Sequence, residues 1–173
     1  QLAAAQPASL SGTCEELAAK LAGLANTTIS AVTTVAAGAV SGVQTAEHCR
    51  VTGEMFRRTS AVDGKSYAIG FEMRLPQAWN GRFFYQANGG IDGVVHPAQG
   101  ALGGGPLTGA LAQGFAVISS DAGHTGRQNP RFGAEPQARA DYGHQAVAAL
   151  TPMAKGLIAT AYGKGPDRSY IGG

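Results

Sequence analysis

The sequence predicts an α/β fold built around a mixed β-sheet, and three observations carry that prediction. Residues 66–75 alternate cleanly, with Tyr67, Ile69, Phe71, Met73 and Leu75 on one face and Ala68, Gly70, Glu72 and Arg74 on the other, the period of a half-buried strand. Residues 115–119 form an unbroken apolar run ending in serine, as expected of a strand covered on both faces. From residue 82 onward, strand-like and helix-like segments alternate, the pattern of parallel αβ units.

The 173 residues suffice for one ordinary core. Residues 14–25 carry Leu17, Leu21 and Leu24 at helical spacing, with Ser11 or Thr13 as candidate caps and Glu15 and Glu16 in the first turn. Residues 27–43 are rich in Thr, Ser, Val and Ala without a clear period and read as irregular or weak strand. Asn26-Thr27-Thr28 has the form of a glycosylation sequon, which we read as accidental in so Ala/Gly-rich a chain. Residues 48–57 alternate loosely. Val62-Asp63-Gly64-Lys65 then reads as the hairpin turn into the strand at 66–75, the Asp-Gly pair supplying the positive φ of a tight turn.

Pro76 ends that strand, Trp79-Asn80-Gly81 is a turn, and Arg82–Gln86 is a short apolar strand entering a glycine-dominated loop. A Gly-rich stretch from residue 102 leads to a short helix at 109–113, and a polar loop at 121–132 precedes a long helical region. There Ala146, Val147 and Leu150 form one stripe, and Met153, Leu157, Ile158 and Ala161 another. Thr151-Pro152 between them predicts a kink or two abutting helices, with Thr as cap and Pro in the first turn. Gly163 ends the helix, and Ser169-Tyr170-Ile171 opens one more strand.

Composition excludes several functions. With 44% hydrophobic and 14% charged residues and 26 glycines, the chain is globular and turn-rich. A net charge of +2, without a basic cluster interleaved with aromatics, argues against nucleic acid. The one basic doublet, Arg57-Arg58, reads as a solvated strand end. No apolar run approaches the roughly 18–20 residues of a membrane span. The Ala/Pro/Ser-rich opening at Gln1 reads as a mature N-terminus after removal of a leader, so secretion or a periplasmic location is expected. Cys14 and Cys49 fit one disulfide of an exported protein, worth roughly 3–4 kcal/mol in the chain-entropy picture, with two buried free thiols as the alternative.

Two loops carry candidate chemistry. Asn88-Gly89-Gly90-Ile91-Asp92-Gly93 follows a buried strand; such glycines let a backbone N–H point into a cleft, as acyl transfer requires for its oxyanion. A tight turn is the bland alternative, and a phosphate loop lacks its spacing. Ser119-Ser120-Asp121-Ala122-Gly123-His124 ends the most buried strand, where α/β proteins gather functional groups. Asp121 and His124 could orient each other or shape a site floor. A triad made from these neighbours is disfavoured, because triad members converge from separate loops and no G-x-S-x-G surrounds either serine. His48, His96, His124 and His144 show no metal-ligand spacing. Finally, Tyr170-Ile171-Gly172-Gly173 is a strand running into glycine, the approach to a nucleophile elbow.

Several blocks together resemble the tannase and feruloyl esterase family, which includes the mono(2-hydroxyethyl) terephthalate hydrolases. They are His48-Cys49-Arg50-Val51-Thr52-Gly53, Ile69-Gly70-Phe71-Glu72-Met73-Arg74-Leu75-Pro76, Trp79-Asn80-Gly81-Arg82-Phe83-Phe84, Asn88-Gly89-Gly90, the Ser119 to His124 block, Phe132-Gly133, Pro136-Gln137-Ala138-Arg139-Ala140-Asp141-Tyr142-Gly143 and Pro166-Asp167-Arg168-Ser169-Tyr170. The resemblance implies the N-terminal part of one α/β-hydrolase catalytic domain spanning 1–173. Residues 1–45 would be an extension stapled by Cys14 and Cys49, which match the family's N-terminal disulfide. It also implies hydrolysis of aromatic esters, phenolic or terephthalate-type, through a serine acyl-enzyme.

Gly90 matches the family position whose backbone N–H serves the oxyanion hole. Gly89 matches the neighbouring substrate-side position, where a small residue leans toward bulkier phenolic or diester substrates. The nucleophile should follow Gly173 immediately in a Gly-Cys-Ser-x-Gly-Gly elbow. The family's Asp and His, a second cysteine pair and a lid with structural calcium should lie further on, so no cofactor is expected within these residues. The expected partners are a small aromatic ester and the rest of the same protein, in one chain or as a second one beginning Cys-Ser; neither nucleic acid nor membrane is expected. By itself the chain is expected to be inactive and to aggregate or stay molten. A non-catalytic binding or structural module is the alternative.

Overall fold

The computed structural model describes residues 4–101 and 108–173. The chain runs β1 (Ala8–Ser9), α1 (Cys14–Lys20), β2 (Thr27–Val35), β3 (Gly38–Val40), β4 (Val43–Thr45), β5 (His48–Thr59), β6 (Ser66–Pro76), β7 (Ala78–Trp79) and β8 (Arg82–Gln86). A 3-10 turn at Leu111–Gln113 leads to β9 (Ala116–Ser120). A second 3-10 turn, Pro130–Ala134, precedes α2 (Pro136–Ala140), a π-helical turn (Asp141–Gln145), α3 (Ala146–Tyr162) and β10 (Arg168–Gly172). The Gly-rich stretch expected at 102–107 lies outside the described residues.

Six strands form a mixed sheet in the order β10-β8-β9-β6-β5-β2. β10, β8 and β9 are mutually parallel neighbours, whereas β6, β5 and β2 join as antiparallel pairs. This is the mixed α/β sheet the sequence predicts. Every residue of β9 is buried, as the apolar run at 115–119 implied. On β6 the predicted inner face of Tyr67, Ile69, Phe71, Met73 and Leu75 is buried throughout. Ile69, Phe71, Met73 and Leu75 share one core with Leu150, Ala154, Leu157 and Ile158 of α3, and it also takes in Leu17 and Leu21. A smaller cluster of Ala98, Ala110, Leu111 and Val117 lies apart from it.

The N-terminal segment is fastened at several points. Thr13 and Glu16 form a reciprocal capping box at the start of α1, satisfying two otherwise unpaired N–H groups. Cys14 and Cys49 form a disulfide with Cα atoms 5.6 Å apart, so the free-thiol alternative is excluded. Ser11 N–H donates to the Ala161 carbonyl of α3 at 2.8 Å; beside it Trp79 stacks on Tyr162 with ring centroids 4.5 Å apart, and the Tyr162 hydroxyl, donating to the Pro76 carbonyl at 2.6 Å, holds α3 to β6.

Four local expectations are corrected. Residues 27–35 form a full nine-residue strand, β2, with a bulge between Ile29 and Ala31, at the sheet edge and paired with β5 alone among the described residues. An edge strand needs no strong apolar face, which is why its sequence carries no clear period. The β5–β6 hairpin forms with the positive φ at Gly64 (+70°), but its turn is wider than 62–65: Gly64 N–H bonds back to the Ser60 carbonyl, and Asp63 does not share the positive φ. Pro152 does not separate two helices, because α3 runs through it. Pro152 is exposed there, and Val147 is exposed instead of belonging to the buried stripe. The helix irregularity falls earlier, at the π-helical turn. Lastly, only Arg57 is a solvated strand end, paired with Glu54. A one-residue bulge between Met55 and Arg58 turns Arg58 inward, onto Glu135 and Asp141.

Candidate functional site

The parallel strands β8, β9 and β10 end together, and the glycine loop leaves the sheet at that edge. Asn88 fastens its first turn: the side-chain amide donates to Ser119 Oγ at 3.0 Å and to the Ser120 carbonyl at 2.8 Å, while its Oδ1 accepts from Gln86 Nε2 at 3.0 Å. Downstream, Gly93 N–H donates to the Asp121 carbonyl and Gly126 N–H to the Gly93 carbonyl. A Cβ at Gly93 would stand 2.5 Å from the Gly126 carbonyl oxygen, so the two loops touch backbone to backbone. Between these anchors, Gly89 and Gly90 are exposed, and their N–H groups have no acceptor among the described residues. Gly90 holds φ at +69°, a conformation that favours glycine.

The block 119–124 supports this loop from below. Asp121 is buried, its Oδ1 accepting from Gly70 N–H at 3.0 Å and Gly123 N–H at 2.8 Å. Burial pushes its pKa up to about 7, partly offset by those two N–H groups and reinforced by Asp92. Burial likewise raises Asp92 to about 6, and its Oδ1 has no hydrogen-bond partner among the described residues. One carboxyl in the loop and one buried beneath it are thus both pushed toward the neutral form, and charging both is costly. Neither aspartate-histidine orientation nor a local triad forms. Ser119 Oγ is taken by Asn88, Ser120 Oγ accepts from Ala122 N–H, Asp121 faces backbone amides, and His124 Nε2 donates to the Ile91 carbonyl at 2.6 Å. A carbonyl can only accept, so Nε2 carries the proton, and burial lowers the pKa of this ring below the ordinary histidine value.

The other histidines lie apart from this loop. His48 is fully buried, donating from Nδ1 to the Ala46 carbonyl and accepting from Arg74 at Nε2. His96 is half-buried and His144 exposed. Among the described residues no three His, Cys, Asp or Glu side chains gather as a metal-ligand set. No helix among them is long and apolar enough to cross a membrane.

Sequence reasoning missed Tyr142. It sits on the exposed side of the π-helical turn, where no apolar period reveals it, yet its hydroxyl donates to the Gly90 carbonyl at 3.0 Å. The ring of His124 stacks on Phe132 at 3.6 Å between centroids, and Tyr142 meets both edge-on.

The last strand completes the edge. β10 runs parallel to β8 with Gly172 opposite Gln86, and Ala87 N–H donates to the Gly172 carbonyl at 2.9 Å. Gly173 therefore lies directly against Ala87, one residue before Asn88. Chemically, this edge offers two unengaged backbone N–H groups on an anchored loop, the arrangement that can receive a developing oxyanion.

Comparison with known proteins gives a consistent result. The sequence model of a family described as tannase and feruloyl esterase matches residues 49–173. A mono(2-hydroxyethyl) terephthalate hydrolase of Piscinibacter sakaiensis is 39% identical over 133 residues, covering 72% of this chain and 22% of that protein. A probable feruloyl esterase B-2 of Aspergillus flavus is 32% identical over 128 residues, covering 74% of this chain and 22% of the relative. In structure, the chain matches feruloyl esterase B from Aspergillus oryzae with a TM-score of 0.73 and 26% identity, over 91% of this chain and 30% of that one. The chain spans less than a third of the length of each of these proteins.

Proposed function

Because the chain belongs to the tannase and feruloyl esterase family, we propose that it forms the N-terminal part of the catalytic domain of a carboxylic ester hydrolase acting on aromatic esters. The observation that carries the reading is the juxtaposition of Gly173 with the Gly89–Gly90 loop across Ala87. A serine supplied by the residues after Gly173 would leave the sheet beside two free N–H groups, with no rearrangement of the strands.

In this mechanism the serine attacks the ester carbonyl, the alkoxide on the tetrahedral intermediate accepts from Gly90 N–H, and collapse expels the alcohol to leave an acyl-enzyme that water hydrolyses. The chain's own residues hold the donor in place. Asn88 ties the loop to β9, Gly93 ties it to the Asp121 backbone, and Gly89 leaves the approach open because no side chain occupies it. The general base and its carboxylate partner would come from other segments, as would the lid and its calcium. The exposed Tyr170 and Ile171 of β10 accord with a sheet continued by further residues. Aromatic substrates are suggested by what the relatives are named for, and export by the disulfide.

The test is hydrolysis of methyl ferulate, methyl gallate and mono(2-hydroxyethyl) terephthalate by the polypeptide that carries the residues following Gly173, together with labelling by a fluorophosphonate. Turnover of at least one ester with stoichiometric serine labelling is expected. Absence of both would leave the binding-module alternative in its place.

A further inference from the structure

We propose that Tyr142 is a positioning residue for the oxyanion loop, acting with His124 as a two-point clamp on the consecutive carbonyls of Gly90 and Ile91. The inference rests on the reading of Gly90 above and assigns the part of the fold that holds it in register.

The geometry is unusual for a helix residue. Tyr142 reaches across 52 positions of sequence to donate to a backbone carbonyl, although 38% of the residue is exposed. Here the ring touches Phe132 and His124 by its edge, and the hydroxyl is directed at the loop. His124 then donates to the very next carbonyl, that of Ile91, at 2.6 Å. Both peptide planes after the Gly90 α-carbon are thereby held, and Asn88 is held on the other side. The Gly89–Gly90 peptide between them retains only a crankshaft rotation. Gln128 packs over Gly90, where a side chain at that position would have to stand, and further restricts it.

The clamp is itself braced. Tyr142 stands in a π-helical turn, in which one extra residue shifts the side chains around the helix axis. The preceding residue, Asp141, abuts Gly123 and accepts from Gln137 Nε2 at 3.0 Å. Arg58 Nη2 lies 3.0 Å from Asp141 Oδ2 in an ion pair without hydrogen-bond alignment, and 3.3 Å from Glu135, the residue that caps α2. The β5 bulge turns Arg58 toward this point. A strand irregularity and a helix irregularity, remote in sequence, thus meet to direct one hydroxyl at Gly90.

The experiment uses the polypeptide carrying the residues after Gly173 and compares wild type, Tyr142→Phe and Tyr142→Ala. Amide hydrogen exchange is followed over residues 88–93, and kcat and KM are measured on an aromatic ester. Losing one hydrogen bond of ordinary strength corresponds to roughly a tenfold change. Tyr142→Phe, which keeps the ring, is therefore expected to speed exchange at the Gly93 amide, which the loop holds on the Asp121 carbonyl, about tenfold and to lower kcat about tenfold. KM should move less than threefold, and the melting temperature should hold. If Tyr142→Phe matches wild type in exchange while Tyr142→Ala does not, the ring alone matters and the clamp is overturned. Should the wild type hydrolyse no ester, the functional reading falls, and exchange in Tyr142→Phe still decides the clamp.

Discussion

Replacing Gly173 with alanine tests how closely the end of β10 must approach the glycine loop. An ideal Cβ at Gly173 would stand 2.7 Å from the Ala87 carbonyl carbon and nearer still to its oxygen, and both are backbone atoms that no rotamer change removes. Restoring an ordinary contact of at least 3.4 Å to that oxygen requires the two backbones to separate by about 1.5 Å. The displacement falls on Ala87, whose N–H is bonded to Gly172 and whose neighbour Asn88 fixes the loop. A misplacement of about 1 Å between reacting groups can cost on the order of a hundredfold in rate. Gly173→Ala in the active polypeptide should therefore lower kcat about a hundredfold while KM changes severalfold at most. Steady-state kinetics on methyl ferulate or mono(2-hydroxyethyl) terephthalate would measure it. A kcat within threefold of wild type, in a variant with an unchanged melting temperature, would refute the close approach as the organising contact.

Two further outcomes concern stability. Gly156 lies in the middle of α3, exposed, with nothing within 4 Å of an added Cβ. Gly156→Ala should stabilise the fold by about 0.5–1 kcal/mol through lost unfolded-state freedom, and chemical denaturation showing destabilisation would contradict the placement. Asp121 takes up a proton on folding, its pKa moving from 3.8 to about 7. Its contribution is fully present below about pH 4 and is lost as pH rises through 7, at most about 4 kcal/mol. Asp121→Asn, which keeps an acceptor for Gly70 and Gly123, should gain stability relative to wild type between pH 4.5 and 7.5. An identical pH slope in both proteins would show that Asp121 is not the group responsible.

The sheet was legible because its central strands are buried by rules that act on sequence directly. The alternation of Tyr67 to Leu75 sorted one face into the core, and the apolar run before Ser119 announced a strand covered on both sides. The glycine loop and the serine-aspartate block were legible as candidates because turns and strand ends carry their own residue preferences. Less visible were features whose cause lies elsewhere in the chain. β2 lacks a period because its partner is only β5, and Pro152 sits within α3 because that side of the helix is exposed.

Residues 119–124 show where local reading stops. The sequence placed Ser119, Ser120, Asp121 and His124 side by side, but each is engaged by a different element: Asn88, the Ala122 amide, the Gly70 and Gly123 amides, and the Ile91 carbonyl. Tyr142 stood inside a block that carried the family resemblance, but its role did not show there, since one hydroxyl reaching a carbonyl 52 residues away leaves no trace in spacing. Burial patterns and turn chemistry are local and repeat along the chain, so the sequence by itself determined the strands, the mixed sheet and the family resemblance. Hydrogen-bond partnership is a matter of position in space, and only the tertiary structure decided that β10 meets the glycine loop at Ala87 and that the π-helical turn reaches it at Gly90.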